Sequence, residues 1–314
     1  MRVAITGATG FVGNALVSHL TDLAGCEVTA ITRGAWRHAS RRVRSVAVGD
    51  LVDAQWPDGV FADTDAVVHT AAITRWDPSS SAPRLFAVNA EAAAGVARQA
   101  ARAGVKRFVF LSSIKVNGEA TTLGRPFSAH DAPAPEDAYG QSKLQAELGL
   151  RALADATGLD LVIIRPSLVY GPGVGGNFAQ LVRWVRRGLP LPLGAVDNKR
   201  TLVALPNLID LITATLTRAG AINQILLAGD AEDLSTPELL KGIGAALGRP
   251  VRLLRVPPSV LSTTASLLGK HDMARKLLGS LQLDIKPTCE RLDWSPPVRA
   301  QDALRAAVRG WRDG

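Results

Sequence analysis

The segment Thr6-Gly7-Ala8-Thr9-Gly10-Phe11-Val12-Gly13 stands between a β-branched run at residues 3–6 and a helical pattern. Gly7 permits a tight turn, Gly10 lets the backbone approach a pyrophosphate, and Gly13 lets the helix pack closely on the strand. The free amides at the start of the helix would then face an anion. The segment therefore predicts a dinucleotide-binding fold that begins with the first strand.

The first half of the chain alternates strand-like and helical patterns. Strands are predicted at residues 3–6, 27–32, 43–48, 66–69, 108–112 and 161–164, and helices at residues 13–23, 84–103 and 139–157. Runs that are apolar throughout, such as Phe108-Val109-Phe110-Leu111, are typical of strands buried on both faces of a parallel sheet. The alternation predicts an α/β fold with a Rossmann-like, doubly wound parallel sheet.

The pattern becomes less regular after Arg165. We expect a dinucleotide-binding domain at residues 1–169 and a smaller, mostly helical substrate-binding domain at residues 170–314, with a segment near residues 200–230 returning to the first domain's sheet. Ligands of such folds lie beyond the carboxyl ends of the strands, where the second domain would close the cleft. The later segments are loop-like or extended at 171–176 and 189–192, helical at 208–218, 237–247 and 258–278, and strand-like at 224–227.

The composition is that of a soluble globular protein, with 47% apolar and 20% charged residues among 314. Its two cysteines give neither a disulfide framework nor a metal-ligand spacing, so we expect a reducing compartment and no metal. The chain starts directly with a strand-like run and contains no apolar run long enough to span a bilayer. These features predict a cytoplasmic protein.

The formal net charge is +8, from 36 basic and 28 acidic residues. Part of the excess lies in an early cluster of arginines at positions 33, 37, 41, 42 and 44. Such a cluster is either a solvated face or a site for a small polyanion such as a nucleotide. No basic tract interleaved with aromatic residues is present, so we expect no binding of nucleic acid.

Further motifs follow in order along the chain: His69-Thr70-Ala71-Ala72, Asn89, Leu111-Ser112-Ser113-Ile114-Lys115-Val116-Asn117-Gly118, Tyr139-Gly140-Gln141-Ser142-Lys143, Arg165-Pro166-Ser167-Leu168-Val169-Tyr170-Gly171-Pro172-Gly173 and Leu292-Asp293-Trp294-Ser295-Pro296-Pro297. Together with the glycine motif, they resemble the extended short-chain dehydrogenase/reductase family of nucleotide-sugar epimerases, dehydratases and reductases. The resemblance implies a homodimer that pairs through the helix carrying the Tyr-Lys motif. It also implies cofactor contacts by Gly7, Thr9, Gly10, Phe11, Val12, Gly13, Arg33, Asp50, Leu51, Ala71, Ala72, Asn89, Tyr139, Lys143 and Pro166.

Tyr139 and Lys143 are the expected catalytic pair, assisted by Ser113. They are four residues apart and therefore share one face of a helix. A phenol ionises poorly at neutral pH, but a nearby ammonium stabilises the phenolate and lowers its pKa. Tyr139 could then exchange a proton with a sugar hydroxyl or ketone, while Lys143 holds the nicotinamide ribose and Ser113 hydrogen-bonds the reacting oxygen. Taken alone, such a pair more often decorates an ordinary helix, and it is the matching serine motif upstream that favours catalysis.

Two departures from the family motifs bear on the reaction. In the serine motif, residues 111–118, Asn117 stands where the family commonly has a tyrosine. The loss of that tyrosine leaves the catalytic trio intact but alters the expected pocket wall. Ser113-Ile114-Lys115 replaces the Thr-Asp-Glu sequence of the sugar 4,6-dehydratases. Without that acid and base, elimination of water is disfavoured.

Arg33 and the segment Gly49-Asp50-Leu51 concern the adenosine end of the cofactor. Arg33 occupies the neighbourhood of the acidic residue that binds the ribose 2′-hydroxyl in NAD-preferring enzymes. A guanidinium can grip a 2′-phosphate by paired hydrogen bonds, which favours NADP(H) over NAD(H). An arginine at this place can also stack on adenine. Asp50 and Leu51 resemble the family's adenine-contacting segment, and a plain turn is the other interpretation.

Besides Ser113, three residues are expected to contact the substrate: Asn177 beside a nucleotide diphosphate, Leu191 in a strip for the base, and Arg200 as a phosphate ligand. Their segments look most like bacterial epimerases and 4-ketoreductases of UDP-N-acetylhexosamines, which serve O-antigen and polysaccharide synthesis. The resemblance therefore implies redox chemistry at C4 of a UDP-sugar, by epimerisation or by net reduction of a 4-keto-6-deoxy derivative. Reduction of a non-nucleotide ketone and a non-catalytic NAD(P)-binding sensor stay open as alternatives.

Overall fold

The computed structural model describes residues 1–74 and 82–311. The strands are β1 (Arg2–Thr6), β2 (Glu27–Thr32), β3 (Val43–Ala47), β4 (Ala66–His69), β5 (Arg107–Leu111), β6 (Asp160–Pro166), β7 (Leu168–Tyr170), β8 (Leu202–Ala204) and β9 (Gln224–Ala228). The helices are α1 (Phe11–Asp22), α2 (Ala82–Phe86), α3 (Ala92–Arg102), α4 (Ala138–Thr157), α5 (Gly176–Arg187), α6 (Leu205–Thr217), α7 (Thr236–Leu247), α8 (Pro258–Leu267), α9 (His271–Leu278), α10 (Lys286–Leu292) and α11 (Ala300–Ala307). Among the helices described, none combines the length and the apolar composition that crossing a bilayer requires.

Seven strands form one parallel sheet in the order β3-β2-β1-β4-β5-β6-β9. β1 lies between β2 and β4, so that Ile5 is opposite Ala30 on one side and Val68 on the other. The strand order reverses at this point, and in such sheets the crevice beyond the carboxyl ends of the strands receives the ligand. The predicted Rossmann-like parallel sheet is confirmed.

Helices cover both faces of this sheet. Phe108 of β5 belongs to the apolar cluster formed with α3 and α4, and its neighbour Val109 belongs to the cluster formed with α1 and α6. Successive side chains of a strand point to opposite faces, so a strand covered on both sides must be apolar at every position. This double coverage explains the continuous apolar run that the sequence shows at β5.

The C-terminal part has an apolar cluster of its own. β7 and β8 form a separate parallel pair, and with α5, α7 and α11 they bury Tyr170, Phe178 and Leu240. β9 instead pairs with β6, with Ile164 opposite Leu226, and so belongs to the main sheet. The division into two domains after residue 169 stays a prediction.

Three segments differ from the sequence-based expectation. A π-helical turn, Ala87–Glu91, separates α2 from α3 within the helix predicted at 84–103. The helix predicted at 258–278 is two helices, because Gly269 between them adopts a φ of +65° that ends α8. α5 was not predicted: only its first residue, Gly176, lies in the segment expected to be a loop, and its Val182 and Val185 pack into the C-terminal cluster. The short elements β7, β8, α10 and α11 were not predicted.

Candidate active site

The glycine loop joins β1 to α1 at the carboxyl edge of the sheet, and two of its glycines leave no room for a side chain. Gly7 has a φ of +71°, and a Cβ there would lie 2.6 Å from the Ala71 nitrogen. A Cβ on Gly13 would lie 2.1 Å from the Gly7 carbonyl oxygen. Gly10 caps α1 without a side-chain hydrogen bond, and the first amides of a helix have no partner within it. Thr9 in this loop is exposed, and Phe11 and Val12 begin the helix. The loop therefore presents bare backbone and helix amides that suit an anion.

The segment after β4 lies against the glycine loop and is fastened by Asn89. The Ile73 N–H donates to Asn89 Oδ1 at 2.8 Å, and Asn89 Nδ2 donates to the Ile73 carbonyl at 3.1 Å. The same Nδ2 donates to Ser142 Oγ at 2.9 Å. Asn89 is fully buried in the π-helical turn, so protein groups engage its amide. Asn89 thereby joins the segment beside Gly7 to α4, and its expected contact with the cofactor stays a prediction.

Ser113, Tyr139 and Lys143 meet beyond the carboxyl end of β5. Ser113 follows β5 closely, and Tyr139 lies in the first turn of α4. The cap of that helix is Asp137, whose Oδ1 accepts a hydrogen bond from the Gly140 N–H at 2.7 Å. The Tyr139 hydroxyl forms a hydrogen bond with the Ser113 side chain, and Lys143 follows one helical turn later. The structure thus brings the predicted trio together.

Burial raises the pKa of the Tyr139 phenol to about 12. The hydrogen bond with Ser113 acts to lower this pKa, and the negative charge of Asp137 acts to raise it. The sequence-based expectation was a pKa lowered by the neighbouring ammonium. This expectation is not met in the structure, because burial dominates the pKa of Tyr139.

Lys143 is buried, and its Nζ atom has no hydrogen-bond partner among residues 1–74 and 82–311. Burial lowers the pKa of its ammonium to about 7, and the carboxylate of Glu147 partly opposes this shift. Nζ lies 4.2 Å from the centroid of the Phe110 ring. A buried amine without a polar partner is uncommon in folded proteins and indicates a place where a ligand supplies the partner.

His69, at the end of β4, stays neutral beside this lysine. Burial, followed by the positive charge of Lys143, lowers the pKa of its imidazole to about 3. Its Nδ1 atom shares a hydrogen bond of 2.8 Å with Thr6 Oγ1, and its ring stacks on Phe108 and Phe110. His69 therefore acts as a packing and hydrogen-bonding residue between β1 and β5.

A buried ion pair that the sequence reasoning missed lies one turn beyond Lys143. Glu147 accepts hydrogen bonds from Arg165 Nε at 2.9 Å and Nη2 at 2.6 Å, and both side chains are 2% exposed. Ser112 Oγ donates to Glu147 Oε1 at 2.5 Å, and Arg165 Nη1 donates to Asn117 Oδ1 at 2.8 Å. Asn117 is therefore buried behind the serine motif and anchors it to Arg165. The expectation that the missing tyrosine alters the pocket wall stays a prediction.

The remaining predicted cofactor contacts follow the carboxyl ends of strands: Arg33 after β2, Asp50 and Leu51 after β3, Ala72 after β4, and Pro166 at the end of β6. Arg33 is exposed. Asp50 forms an ion pair with Arg84 of α2 and accepts a hydrogen bond from the Val52 N–H at 3.1 Å. Leu51 packs against the apolar cluster that includes α3. Arg33, Asp50 and Leu51 thus lie on the opposite side of β1 from the Tyr-Lys pair.

The residues expected to contact substrate, other than Ser113, lie in the C-terminal part. Arg200 is half-buried and donates from Nη1 to the Gly279 carbonyl at 2.9 Å. Burial lowers the pKa of its guanidinium, and the charge of Glu119 acts in the opposite direction. Asn177 is exposed in the first turn of α5, and Leu191 packs against the C-terminal apolar cluster. In the part of the chain that the structure describes, no side-chain hydrogen bond joins Asn177 or Arg200 to the trio.

A charged cluster that the sequence did not indicate lies beside the serine motif. The Glu119 carboxylate, 8% exposed, accepts hydrogen bonds from Lys115 Nζ at 2.7 Å and from Arg275 Nη2 at 2.5 Å. Arg275 also pairs with Glu136, and Lys115 also pairs with Asp137. The cluster ties α9 to the serine motif and to the start of α4.

Comparison with known proteins identifies the family. The model of the NAD dependent epimerase/dehydratase family matches residues 3–229. The chain belongs to this family. The resemblance that the ordered motifs indicate is thereby confirmed.

Individual members of the epimerase/dehydratase family are similar over most of the chain. A UDP-glucose 4-epimerase of Vibrio cholerae is 41% identical over 318 residues, which cover 98% of this chain and 95% of the relative. An N-acetyl-α-D-glucosaminyl-diphospho-ditrans,octacis-undecaprenol 4-epimerase of Escherichia coli O157:H7 is 28% identical over 258 residues, or 82% and 75% of the two chains. The crystal structure of a UDP-glucuronic acid 4-epimerase from Bacillus cereus in complex with NAD has the same fold, with a TM-score of 0.79, 19% identity, and coverage of 98% and 97%.

Membership of an NAD-dependent family implies a dinucleotide, and the residues of this chain fit one. The glycine loop admits no Cβ at Gly7 or Gly13 and leaves helix amides facing outward, as a pyrophosphate requires. The buried Nζ of Lys143 has no partner among the described residues, as expected of a group that binds ribose hydroxyls. Both features lie beside the switch point between β1 and β4.

Proposed function

We propose that this epimerase/dehydratase family member is a 4-epimerase of UDP-sugars. The observation that carries the proposal is the buried, unpartnered Nζ of Lys143 one helical turn from Tyr139, whose hydroxyl is hydrogen-bonded to Ser113. Such a trio beside a dinucleotide site suits transfer of a hydride coupled to transfer of a hydroxyl proton. The relatives named as UDP-sugar 4-epimerases support the same reaction class.

When bound, the nicotinamide supplies the acceptor and donor of the hydride at C4 of the sugar. The residues of this chain handle the proton and hold the reactants. Tyr139 removes the proton of the C4 hydroxyl and later returns one to the ketone oxygen. Ser113 hydrogen-bonds the same oxygen and keeps it beside Tyr139. Lys143, in its ammonium form, binds ribose hydroxyls and stabilises the Tyr139 phenolate.

We further propose a UDP-N-acetylhexosamine as the sugar, in cytoplasmic synthesis of polysaccharide or O-antigen. The support is the likeness of the segments around Asn177, Leu191 and Arg200 to enzymes of such sugars. The relative whose name contains an N-acetylglucosaminyl group points the same way, whereas the Vibrio cholerae relative is named for UDP-glucose. UDP-glucose and UDP-galactose are therefore the rival pair, and Arg200 would contact the diphosphate of either.

Net reduction of a 4-keto sugar is the second candidate function. Ser113, Tyr139 and Lys143 would perform it with the same proton steps, so the geometry of the trio favours neither reaction. The two differ in stoichiometry. A reductase consumes one reduced cofactor for each product molecule, whereas an epimerase regenerates its cofactor in every cycle.

The preference for NADP(H) that Arg33 suggests also belongs to this proposal. An exposed guanidinium after β2 can pair with a 2′-phosphate. The family is NAD-dependent, and the Bacillus cereus relative binds NAD, so binding of both dinucleotides has to be measured. If Arg33 selects NADP, Arg33→Asp should weaken binding of NADP and leave binding of NAD nearly unchanged. Equal effects on the two dinucleotides would remove the preference.

The reaction is tested with purified protein and a panel of UDP-sugars. Conversion of UDP-N-acetylglucosamine into its galacto epimer without net consumption of cofactor would support the proposal in full. Conversion of only UDP-glucose and UDP-galactose would replace the sugar and keep the reaction. Stoichiometric oxidation of NADPH by a UDP-4-keto-6-deoxy sugar would favour the reductase. No turnover on any member of the panel would refute the proposed function.

The role of Tyr139 is tested by Tyr139→Phe, with Tyr170→Phe as the matched control. The chain has two tyrosines, and each substitution removes one hydroxyl from a buried ring. The Tyr170 hydroxyl bonds to Asp230 Oδ2 at 2.9 Å, within the C-terminal cluster. Tyr139→Phe should lower kcat by at least about 100-fold, because it removes the acid-base group, while dinucleotide affinity stays the same. Equal kcat values for the two variants would contradict the assignment.

A further inference from the structure

One face of the C-terminal part combines an open apolar groove with exposed apolar side chains. Nine large apolar residues are exposed among those described, and five of them lie in the two segments that build this face: Leu189 (63%), Leu254 (52%), Val260 (52%), Leu267 (84%) and Leu268 (64%). Two of them, Leu189 and Leu268, line a groove of about 460 Å³ together with Leu191, Leu261 and Leu277 among others. Val260 and Leu267 lie on the same helix as Leu261, and Leu254 follows the strand-like segment that pairs with Leu191. We call these five residues and the groove the α8 face. Exposed apolar residues that cluster in this way, rather than occur singly, mark a surface that binds something.

Helix α8 packs only lightly on the rest of the chain, chiefly through Leu261 at the C-terminal cluster. None of its ten residues is buried, although Leu261 and Ala265 line the groove. Isolated helices shorter than about 12 residues are marginal in water, and most helices in proteins are stabilised by burying an apolar face. α8 buries little against its own chain, so a contact outside the chain would stabilise it.

The charges around the α8 face are basic. Between residues 249 and 276 the sequence has six lysines and arginines and one acidic residue. Arg187 and Lys270 line the groove itself. Five basic residues of the segments that build the face are exposed and have no ion pair in the described part of the chain: Arg187, Arg252, Arg255, Lys270 and Lys276. Their sign complements an anionic partner.

We propose that the α8 face binds the anionic surface of a lipid bilayer. A short helix with exposed leucines and a basic rim is the arrangement that lies in the headgroup region of anionic membranes. Leu267 and Leu268 enter the interface at the end of α8, and Lys270 and Arg187 contact lipid phosphates. This inference goes beyond the proposed reaction and does not depend on it.

The α8 face is also connected to the catalytic cleft. Arg275 of α9 binds Glu119 beside the serine motif, and Arg200 bonds to the carbonyl of Gly279 immediately after α9. A membrane bound at the α8 face would therefore lie next to the helix that borders the expected substrate phosphates. The catalytic cleft would then lie close to the bilayer surface.

The inference is tested with the whole protein and vesicles of phosphatidylcholine, with and without phosphatidylglycerol. We expect the protein to float with the anionic vesicles, to release as salt is raised, and to ignore the neutral vesicles. Leu267→Asp should weaken binding by at least about tenfold, because it places a charge in the apolar interface. Lys270→Gln should weaken binding by about fivefold, the contribution of one basic residue at an anionic surface.

Two matched variants change the same chemistry elsewhere. Leu123→Asp alters another exposed leucine (51%), and Lys106→Gln removes an exposed lysine at the amino end of β5. Both should bind vesicles as the wild type does. All four variants should keep wild-type thermal unfolding and wild-type turnover of soluble UDP-sugar. If Leu267→Asp fails to fold, the comparison of Lys270→Gln with Lys106→Gln decides.

Absence of binding to anionic vesicles, or equal losses in the test and control variants, would overturn the inference. A second outcome would also overturn it: the wild type does not bind vesicles, and Leu267→Asp converts a dimer to a monomer. The α8 face would then be covered by a second copy of the chain. Vesicle binding by a protein that turns over no UDP-sugar would support the inference while refuting the proposed function. The two proposals can therefore fail separately.

Discussion

Replacing Lys143 by methionine should stabilise the protein while abolishing its reaction. Methionine has nearly the length of lysine and no charge, so it fills the same buried space without an amine that lacks a partner. The ammonium of lysine, by contrast, is disfavoured at this place, because burial lowers its pKa from 10.5 to about 7. The perturbation therefore removes a group that opposes folding.

The size of the effect follows from the two pKa values. The unfolded chain holds the lysine proton up to pH 10.5, whereas the folded protein releases it near pH 7. At pH 7 this difference lowers the free energy of unfolding by about 4 kcal/mol, and at pH 10 by only about 1 kcal/mol. The sign is that of a base whose pKa falls on folding: the unfolded state binds more protons between these pH values, so wild-type stability rises with pH.

The assay is urea unfolding of the wild type and Lys143→Met at pH 7 and at pH 10, without added nucleotide. We expect the variant to be more stable by about 4 kcal/mol at pH 7 and by about 1 kcal/mol at pH 10. Lys106→Met, at an exposed position, should differ little from the wild type at either pH. Equal stability of Lys143→Met and the wild type at both pH values would show that the amine is solvated or paired, and the reasoning would be wrong.

Further substitutions probe the loop, the buried ion pair and the expected dimer. Gly13→Ala places a Cβ 2.1 Å from a carbonyl oxygen, so titration with NAD should show an affinity reduced by at least about tenfold. Gly149→Ala, whose Cβ would meet no other atom, should bind NAD as the wild type does. Glu147→Gln leaves the Arg165 guanidinium without its carboxylate and should lower the free energy of unfolding, measured in urea, by about 3–5 kcal/mol. If the variant is as stable as the wild type, the ion pair is dispensable for folding. Leu148 is 60% exposed on α4, so Leu148→Asp should convert the expected homodimer to a monomer in light scattering; an intact dimer would place the interface elsewhere.

Much of the main sheet could be predicted from the sequence. β2 and β4 have the bounds that the β-branched and apolar patterns indicate, 27–32 and 66–69, because such residues suit the pleated, buried surface of a central strand. The glycine loop could be placed for a related reason. Gly7 and Gly13 face backbone atoms so closely that no other residue fits, and that requirement is visible as a fixed spacing.

The parts that sequence reasoning missed depend on contacts between distant residues. Arg275 and Glu119 are 156 positions apart, and no local pattern connects them. Glu147 offered a weak signal, since it lies four residues after Lys143 on the same face of α4 and is a charge on a buried stripe. The π-helical turn left no trace in the periodicity, because one extra residue in a short turn is hidden by the apolar residues around Asn89.

The pKa values of the catalytic pair suggest why the chain retains a lysine that opposes folding. The Tyr139 phenol, with a pKa of about 12, keeps its proton at neutral pH. The Lys143 amine, with a pKa of about 7, is only partly charged there. A polar partner for Nζ would favour the ammonium, and the ammonium would then favour the phenolate, because charges interact strongly where water is excluded. Occupation of the dinucleotide cleft and activation of the base would thus be coupled through one buried atom. An exposed lysine would make the protein more stable but would lose this coupling, which is the usual conflict between stability and activity at a functional site.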